Sequence, residues 1–482
     1  MKSRWSIAAL LLAAPASAQI DRPEYVRAIA AGYKAGFLCS NIFNGGLTQA
    51  QTEADDLRGT YAELDPIFPQ LPAEIDRERK RVRVRYSDTM PPRIAQWRPA
   101  LGCTHLPIGS SAAAADRLPR IVGAGSHHRE TDNRPWPMGD LQATARPRGD
   151  AAALARAVAG AFDRSTYGAG TETTAVLVLQ GDRIVAERYR RDFTMHNSQR
   201  TWSVAKSMAA TVIGRAAQLG VVDVNAPLGL AGARVALGSP RPARPEAPWP
   251  RIPEWSSPDD PRAAITTDHL LRMASGLHSD FAGNRTDALY FGGIGISEQA
   301  AAFPLVAAPG SVFRYANNDT VLAIRALQSG LGDSGAALAF PFEHLFWRIG
   351  MTRTAAETDH NGHFIMSSQV WTTARDLARL GLLHLDDGVW RGERLLPPGW
   401  NDYIRRRGPA QPARGYGYGA GWWTFPADAG LPGDAFVAQG NRGQYLVVVP
   451  SRRIVIVRRG FDRAGARFDP APFVRDVLAA LR

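Results

Sequence analysis

Short β-patterned segments stand on either side of a long helix-rich stretch, and this division constrains the fold more than any single motif. Residues 175–179 and 183–189 flank a Gly181-Asp182 turn and read as a hairpin. Strand patterns return only at 421–424, 436–438, 445–449 and 453–458, the last two joined by Pro450-Ser451-Arg452. Strands joined by short turns pair antiparallel. Between the two groups lie helical patterns at 203–219, 268–273, 319–328, 342–349 and 373–383, interrupted by a proline-rich loop at 239–261. Asp150 is placed to cap a helix over 151–162, and a last helix is expected over 472–481. The chain is therefore expected to be an α/β protein of the α+β type. An antiparallel sheet (150–202 and 415–482) is flanked by helices, and a mostly helical domain (203–414) is inserted between its strands.

Residues 19–149 precede this unit as a small α+β extension. A helix is expected over 24–38, strands over 80–86 and 93–97, and a Pro/Gly-rich linker over 134–149. The first 18 residues are read as a secretory signal peptide. They have a basic start, an apolar run at 7–14 too short to span a bilayer, and Ala16-Ser17-Ala18 before a cut at Gln19. A periplasmic or secreted location follows, and the only two cysteines, Cys39 and Cys103, are expected to form a disulfide. No later run is apolar enough for a membrane span. The net charge of +12 rests on arginines spread along the chain, with no basic footprint or nucleic-acid-binding motif, so no nucleic-acid partner is expected.

Lysine is nearly absent: the chain has Lys2, Lys34, Lys80 and Lys206. Lys206 closes the sequence Ser203-Val204-Ala205-Lys206 at the start of an apolar-faced helix. Residues three apart share a helix face, so the serine hydroxyl meets the lysine amine from the turn above. An amine among apolar neighbours at a helix N-terminus is a candidate base, a role closed to arginine. Ser203 is the candidate nucleophile. Tyr315-Ala316-Asn317 precedes the helix expected at 319–328. Its tyrosine can relay a proton, and its asparagine can accept from the lysine or donate to a substrate carbonyl. The Gly-rich segment Gln439-Gly440-Asn441-Arg442-Gly443 lies between two strands, where an outward N–H can join that of Ser203 in an oxyanion hole.

Taken in order, Ser203-Val204-Ala205-Lys206, Tyr315-Ala316-Asn317 and the Gly-rich strand segment resemble the pattern of serine β-lactamases and penicillin-binding proteins. Residues 151–482 most resemble their class C-like branch, which includes carboxylesterases, D-amino-acid amidases and nylon-oligomer (6-aminohexanoate-dimer) hydrolases. Residues 443–450 look nearest to the last group. The resemblance implies a β-lactamase/transpeptidase-like fold, Ser203 as nucleophile, Lys206 and Tyr315 sharing base and acid work, and oxyanion donors at Ser203 and Asn441. No cofactor is implied. Trp202, Asn317, Gly440 and Arg442 are the candidate substrate contacts. One departure matters. The third motif of penicillin-recognising relatives reads K-T-G or H-T-G, and here the region reads Ala438-Gln439-Gly440. Loss of that cation disfavours a β-lactam and favours a small ester or another amide, unless Arg442 supplies the charge.

Two histidine pairs are weaker candidates. Asp359-His360-Asn361-Gly362-His363 reads as a turn beside the cleft, and His127-His128 lacks a metal-ligand pattern. No G-x-S-x-G elbow occurs, which argues against an α/β-hydrolase.

Overall fold

A computed structural model describes residues 21–124, 133–141, 144–229, 250–257, 259–279, 290–292, 294–332 and 334–482. The signal-peptide reading, His127-His128 and residues 239–249 of the proline-rich loop lie outside them.

The chain opens with helix α1 (Asp21–Phe43) and helix α2 (Gln49–Asp55). Thr48 starts α2 with a reciprocal capping box to Gln51. A four-stranded antiparallel meander follows: β1 (Ala73–Asp76), β2 (Arg81–Val84), β3 (Arg93–Arg98) and β4 (Gly102–His105). α1 packs across this meander, and Cys39 on α1 is joined to Cys103 on β4. The closed loop spans a separation of 64 residues. Chain-entropy arguments assign about 4 kcal/mol to such a loop. Replacing both cysteines by serine is expected to lower stability by roughly 2–4 kcal/mol in denaturant titration. Equal midpoints for the two proteins would contradict this.

Helix α3 (Ala151–Gly160) is capped by Asp150, whose carboxylate accepts from Ala152 and Ala153 N–H. Then come β5 (Thr173–Gln180), β6 (Arg183–Tyr189) and β7 (Gln199–Arg200). Helix α4 (Val204–Gln218) begins the helical region. Within that region, β8 (Ala355–Ala356) and β9 (Val370–Thr372) complete a small sheet with β7, and β10 (Val389–Trp390) pairs with β11 (Glu393–Arg394). The C-terminal part supplies β12 (Gly417–Tyr418), β13 (Trp423–Thr424), β14 (Phe436–Gly440), β15 (Gln444–Val449) and β16 (Ile454–Gly460). The main sheet is antiparallel throughout, in the order β12-β13-β14-β15-β16-β5-β6, so the early hairpin closes on the last strand across the whole helical region.

Alternation along these strands divides the core. Leu177, Leu179, Leu446, Val448, Val455 and Val457 face α4 and the helix Ala374–Leu385. Val176, Val178, Val447, Val449, Ile454 and Ile456 face α3 and the closing helix Pro470–Ala480. Both faces are covered, which is why β5, β15 and β16 are buried along their whole lengths.

Two features differ from the sequence expectation. The segment expected as a linker is gripped by the helical region: Arg379 donates to Pro137 O and Gly139 O and pairs with Asp140 at 2.8 Å. The extension also shares its core with α4. Tyr33 and Phe37 of α1 are fully buried, and the Phe37 ring lies 6.1 Å from Trp202 and 5.8 Å from Trp371. No helix among the described residues is long and apolar enough to cross a membrane.

Candidate active site

β7 delivers the chain to Ser203. Arg459 of β16 donates to Gln199 O, Arg200 O and Thr372 O, fixing β7 and β9 against the main sheet. Trp202 then adopts a left-handed φ of +50°, and Ser203 enters at the N-cap of α4. Such a turn is costly for a non-glycine residue and persists where packing over-determines it. Here the Arg200 guanidinium lies 3.8 Å from the Trp202 ring, with Phe37 behind it.

Lys206 is buried, and its Nζ has three polar neighbours. It donates to Asn317 Oδ1 at 2.5 Å and to Ser367 O at 2.8 Å, and it lies 3.2 Å from Ser203 Oγ. Burial and the Arg200 charge lower its pKa to about 7, opposed by Asp319. A neutral amine has two N–H bonds and one lone pair. The two acceptors Asn317 Oδ1 and Ser367 O take the N–H bonds, which leaves the lone pair facing Ser203 Oγ. Asp319, two residues beyond Asn317, is itself pushed up to about 7 by burial, against hydrogen bonds from Ser275.

Tyr315 lies on the loop before the helix Asn317–Leu331, with its ring 4.9 Å from Lys206 Nζ and 5.3 Å from Trp423. Burial raises its phenol well above the usual range, partly opposed by the Ser203 hydroxyl. A cavity of about 490 Å³ opens over Ser203, lined also by Tyr315, Trp423, Gln439, Gly440, Asn441 and Arg467. The end of β14 lies so close to Ser203 that a Cβ on Gly440 would fall 2.3 Å from Thr201 O and 3.2 Å from Ser203 N.

The beta-lactamase family matches residues 155–459, more than half of the chain. The chain belongs to the beta-lactamase family. It is 26% identical over 310 residues to a 6-aminohexanoate-dimer hydrolase of Paenarthrobacter ureafaciens, covering 60% of this chain and 72% of that one. A solved family VIII carboxylesterase shares the fold with a TM-score of 0.52 at 16% identity, covering 70% of this chain and 98% of its own. A penicillin-binding protein homologue from Caulobacter crescentus shares it with a TM-score of 0.50, at the same identity and coverage.

Within this beta-lactamase family member, Ser203, Lys206, Tyr315 and Asn317 come together, and Gly440 and Asn441 line the same cavity. Three expectations are corrected. Arg442 lines the cavity beside Asn441, but its guanidinium is buried and paired with Asp56 of the extension at 3.2 Å. Trp202 does not line the cavity, because its ring packs against Arg200 and Phe37; Trp423 does line it. The Asp359–His363 turn lies on a separate cavity, with Arg325 and Gln328. Its Asp359 Oδ1 accepts from Asn361 and His363 N–H, which closes the turn. Asn317 also begins its helix, two residues before the start expected at 319, and its side-chain oxygen accepts from Lys206. Sequence reasoning missed the Ser367 carbonyl, since a backbone acceptor leaves no signature in residue type. It also missed Tyr290, whose hydroxyl lies 2.7 Å from Ser367 Oγ.

Proposed function

We propose that the protein is an exported serine hydrolase that cleaves a small ester, or an amide outside the β-lactam class, through an acyl-enzyme on Ser203. The observation that carries this reading is the three-way setting of Lys206, whose Nζ lies 3.2 Å from Ser203 Oγ with Asn317 Oδ1 and Ser367 O as its other partners, and whose pKa is lowered to about 7 by burial. Ser203 Oγ attacks the acyl carbon as Lys206 takes its proton. The oxyanion is held by the N–H groups of Ser203 and Asn441. The leaving alcohol or amine receives a proton from Lys206 through Tyr315. Water then attacks the acyl-enzyme and gives a proton to Lys206, with Tyr315, which passes it to Ser203 Oγ as the acid leaves. The raised pKa of Tyr315 keeps its phenol protonated, so it serves as relay and donor while the amine is the base.

The chain's similarity to a 6-aminohexanoate-dimer hydrolase and the missing third-motif lysine favour the ester or linear-amide reading. A penicillin-recognising activity is the second reading. The observation favouring it is Arg467, an exposed cation on the same cavity.

A side-by-side screen separates them. p-Nitrophenyl butyrate is expected to turn over well and benzylpenicillin to turn over poorly, with Ser203→Ala inactive on both. A linear 6-aminohexanoate dimer and short aryl amides complete the panel. A higher kcat/KM on benzylpenicillin than on the ester would select the second reading. Ester hydrolysis by Ser203→Ala equal to that of the wild type would end the hydrolase assignment.

A further inference from the structure

Both backbone segments that would form the oxyanion hole have a neighbouring residue held by the N-terminal extension. On the nucleophile side, Trp202, which precedes Ser203, packs on Phe37 of α1. On the strand side, Arg442 follows Asn441 with a φ of +57°, and its side chain runs into the extension. There Arg442 Nη1 meets Asp56 Oδ1 at 3.2 Å, and Nη2 donates to Asp55 O at 2.7 Å. The same guanidinium donates to Phe461 O and Asp462 O, both at 3.2 Å, beyond the end of β16. The second oxygen of Asp56 accepts from Asn41 of α1 at 2.7 Å. Asn41 lies two residues from the disulfide at Cys39. Both charged side chains of the pair are almost wholly buried, at 3% and 2% exposure.

We propose that Asp56 and Arg442 are positioning residues: through them the N-terminal extension sets the place of the Asn441 N–H in the oxyanion hole. This rests on the acyl-enzyme reading of Ser203. The physical case is one of reach and rigidity. The loop from Gly440 to Gly443 has one exposed side, toward the cavity, and Asn441 is exposed there. A hydrogen-bond donor acts on a developing oxyanion only when held within a few tenths of an ångström of its place. Arg442 supplies that hold with a planar fork whose N–H groups are used on both sides at once, on the extension and on the loop after β16. The extension is thereby part of the catalytic apparatus rather than an appended module.

The test uses the full-length protein, with wild type, Ser203→Ala, Asp56→Asn and the double variant Asp56→Asn/Arg442→Gln. The double variant removes both buried charges, so it tests the tie without leaving an unpaired guanidinium. Hydrolysis of p-nitrophenyl butyrate gives kcat and KM. Inhibition by phenylboronic acid, which adds to a serine hydroxyl as a tetrahedral anion, reports the oxyanion hole. Thermal melting reports the fold. Both Asp56 variants are expected to lose at least about tenfold in kcat, with boronate affinity falling in parallel and KM within about threefold of wild type. A lower melting temperature with unchanged kcat and boronate affinity would reduce the pair to a docking contact and overturn the proposal. So would recovery of wild-type kcat in the double variant. Equal rates for wild type and Ser203→Ala would instead reject the hydrolase reading itself, and the inference with it.

Discussion

Lys206→Arg is expected to abolish ester hydrolysis almost as fully as Lys206→Ala, with kcat lower by about 10²–10⁴-fold in each. The arginine keeps the positive charge and loses the proton chemistry. Guanidinium stays protonated at every usable pH and has no lone pair to offer Ser203. It is also the wrong shape for a site built around a single nitrogen with Asn317 Oδ1 and Ser367 O as its acceptors. In wild type the same base sets the acid side of the pH profile. The Lys206 pKa is lowered to about 7 by burial and Arg200, so the free-base form dominates above that pH and falls tenfold per unit below it. The kcat/KM for p-nitrophenyl butyrate is therefore expected to decline from about pH 7 downward and to level off above it. Retention of more than about a tenth of the wild-type rate by Lys206→Arg would replace the base role with a simple electrostatic one.

Gly440→Ala is expected to cost about 10²-fold or more in kcat while the protein still folds. The added methyl would lie 2.3 Å from Thr201 O, 3.0 Å from Gln444 Cβ and 3.2 Å from Ser203 N. The first of these is a backbone atom held by β7 and the turn into α4, so it has no rotamer with which to move aside. Relief comes from separating the end of β14 from the start of α4, which are the two segments that carry the oxyanion donors. The register of β14 and β15 from Phe436↔Val448 to Gln439↔Tyr445 lies outside the clash, so the loss concentrates at the site. Steady-state kinetics beside thermal melting would show it. Wild-type kcat in a normally folded Gly440→Ala protein would mean that the two segments need not be this close for reaction.

These two predictions rest on different kinds of information. Lys206 was legible in the sequence because arginine carries nearly all the chain's basic charge, so a lysine three residues after a serine at a helix start has a chemical reason to be there. The antiparallel sheet was legible too. Short apolar runs at 175–179, 445–449 and 453–458, bounded by turn residues, specify strands, and the short turns specify their antiparallel pairing. These are local properties, written into residues within a few positions of one another.

The partners of Arg442 and Trp202 were not legible. Both residues sit beside candidate catalytic groups, so sequence neighbours alone made them substrate contacts. Their side chains are instead engaged by Asp56 and Phe37, which lie 386 and 165 residues earlier in the chain. The sequence by itself determined the strands, the helix that Ser203 opens and the choice of lysine at 206. Tertiary structure alone decided that a backbone carbonyl at Ser367 would accept from Lys206, and that the N-terminal segment would contact both Trp202 and Arg442. The physical reason is that side-chain direction at a positive φ, and contact between distant segments, follow from how the packed core closes.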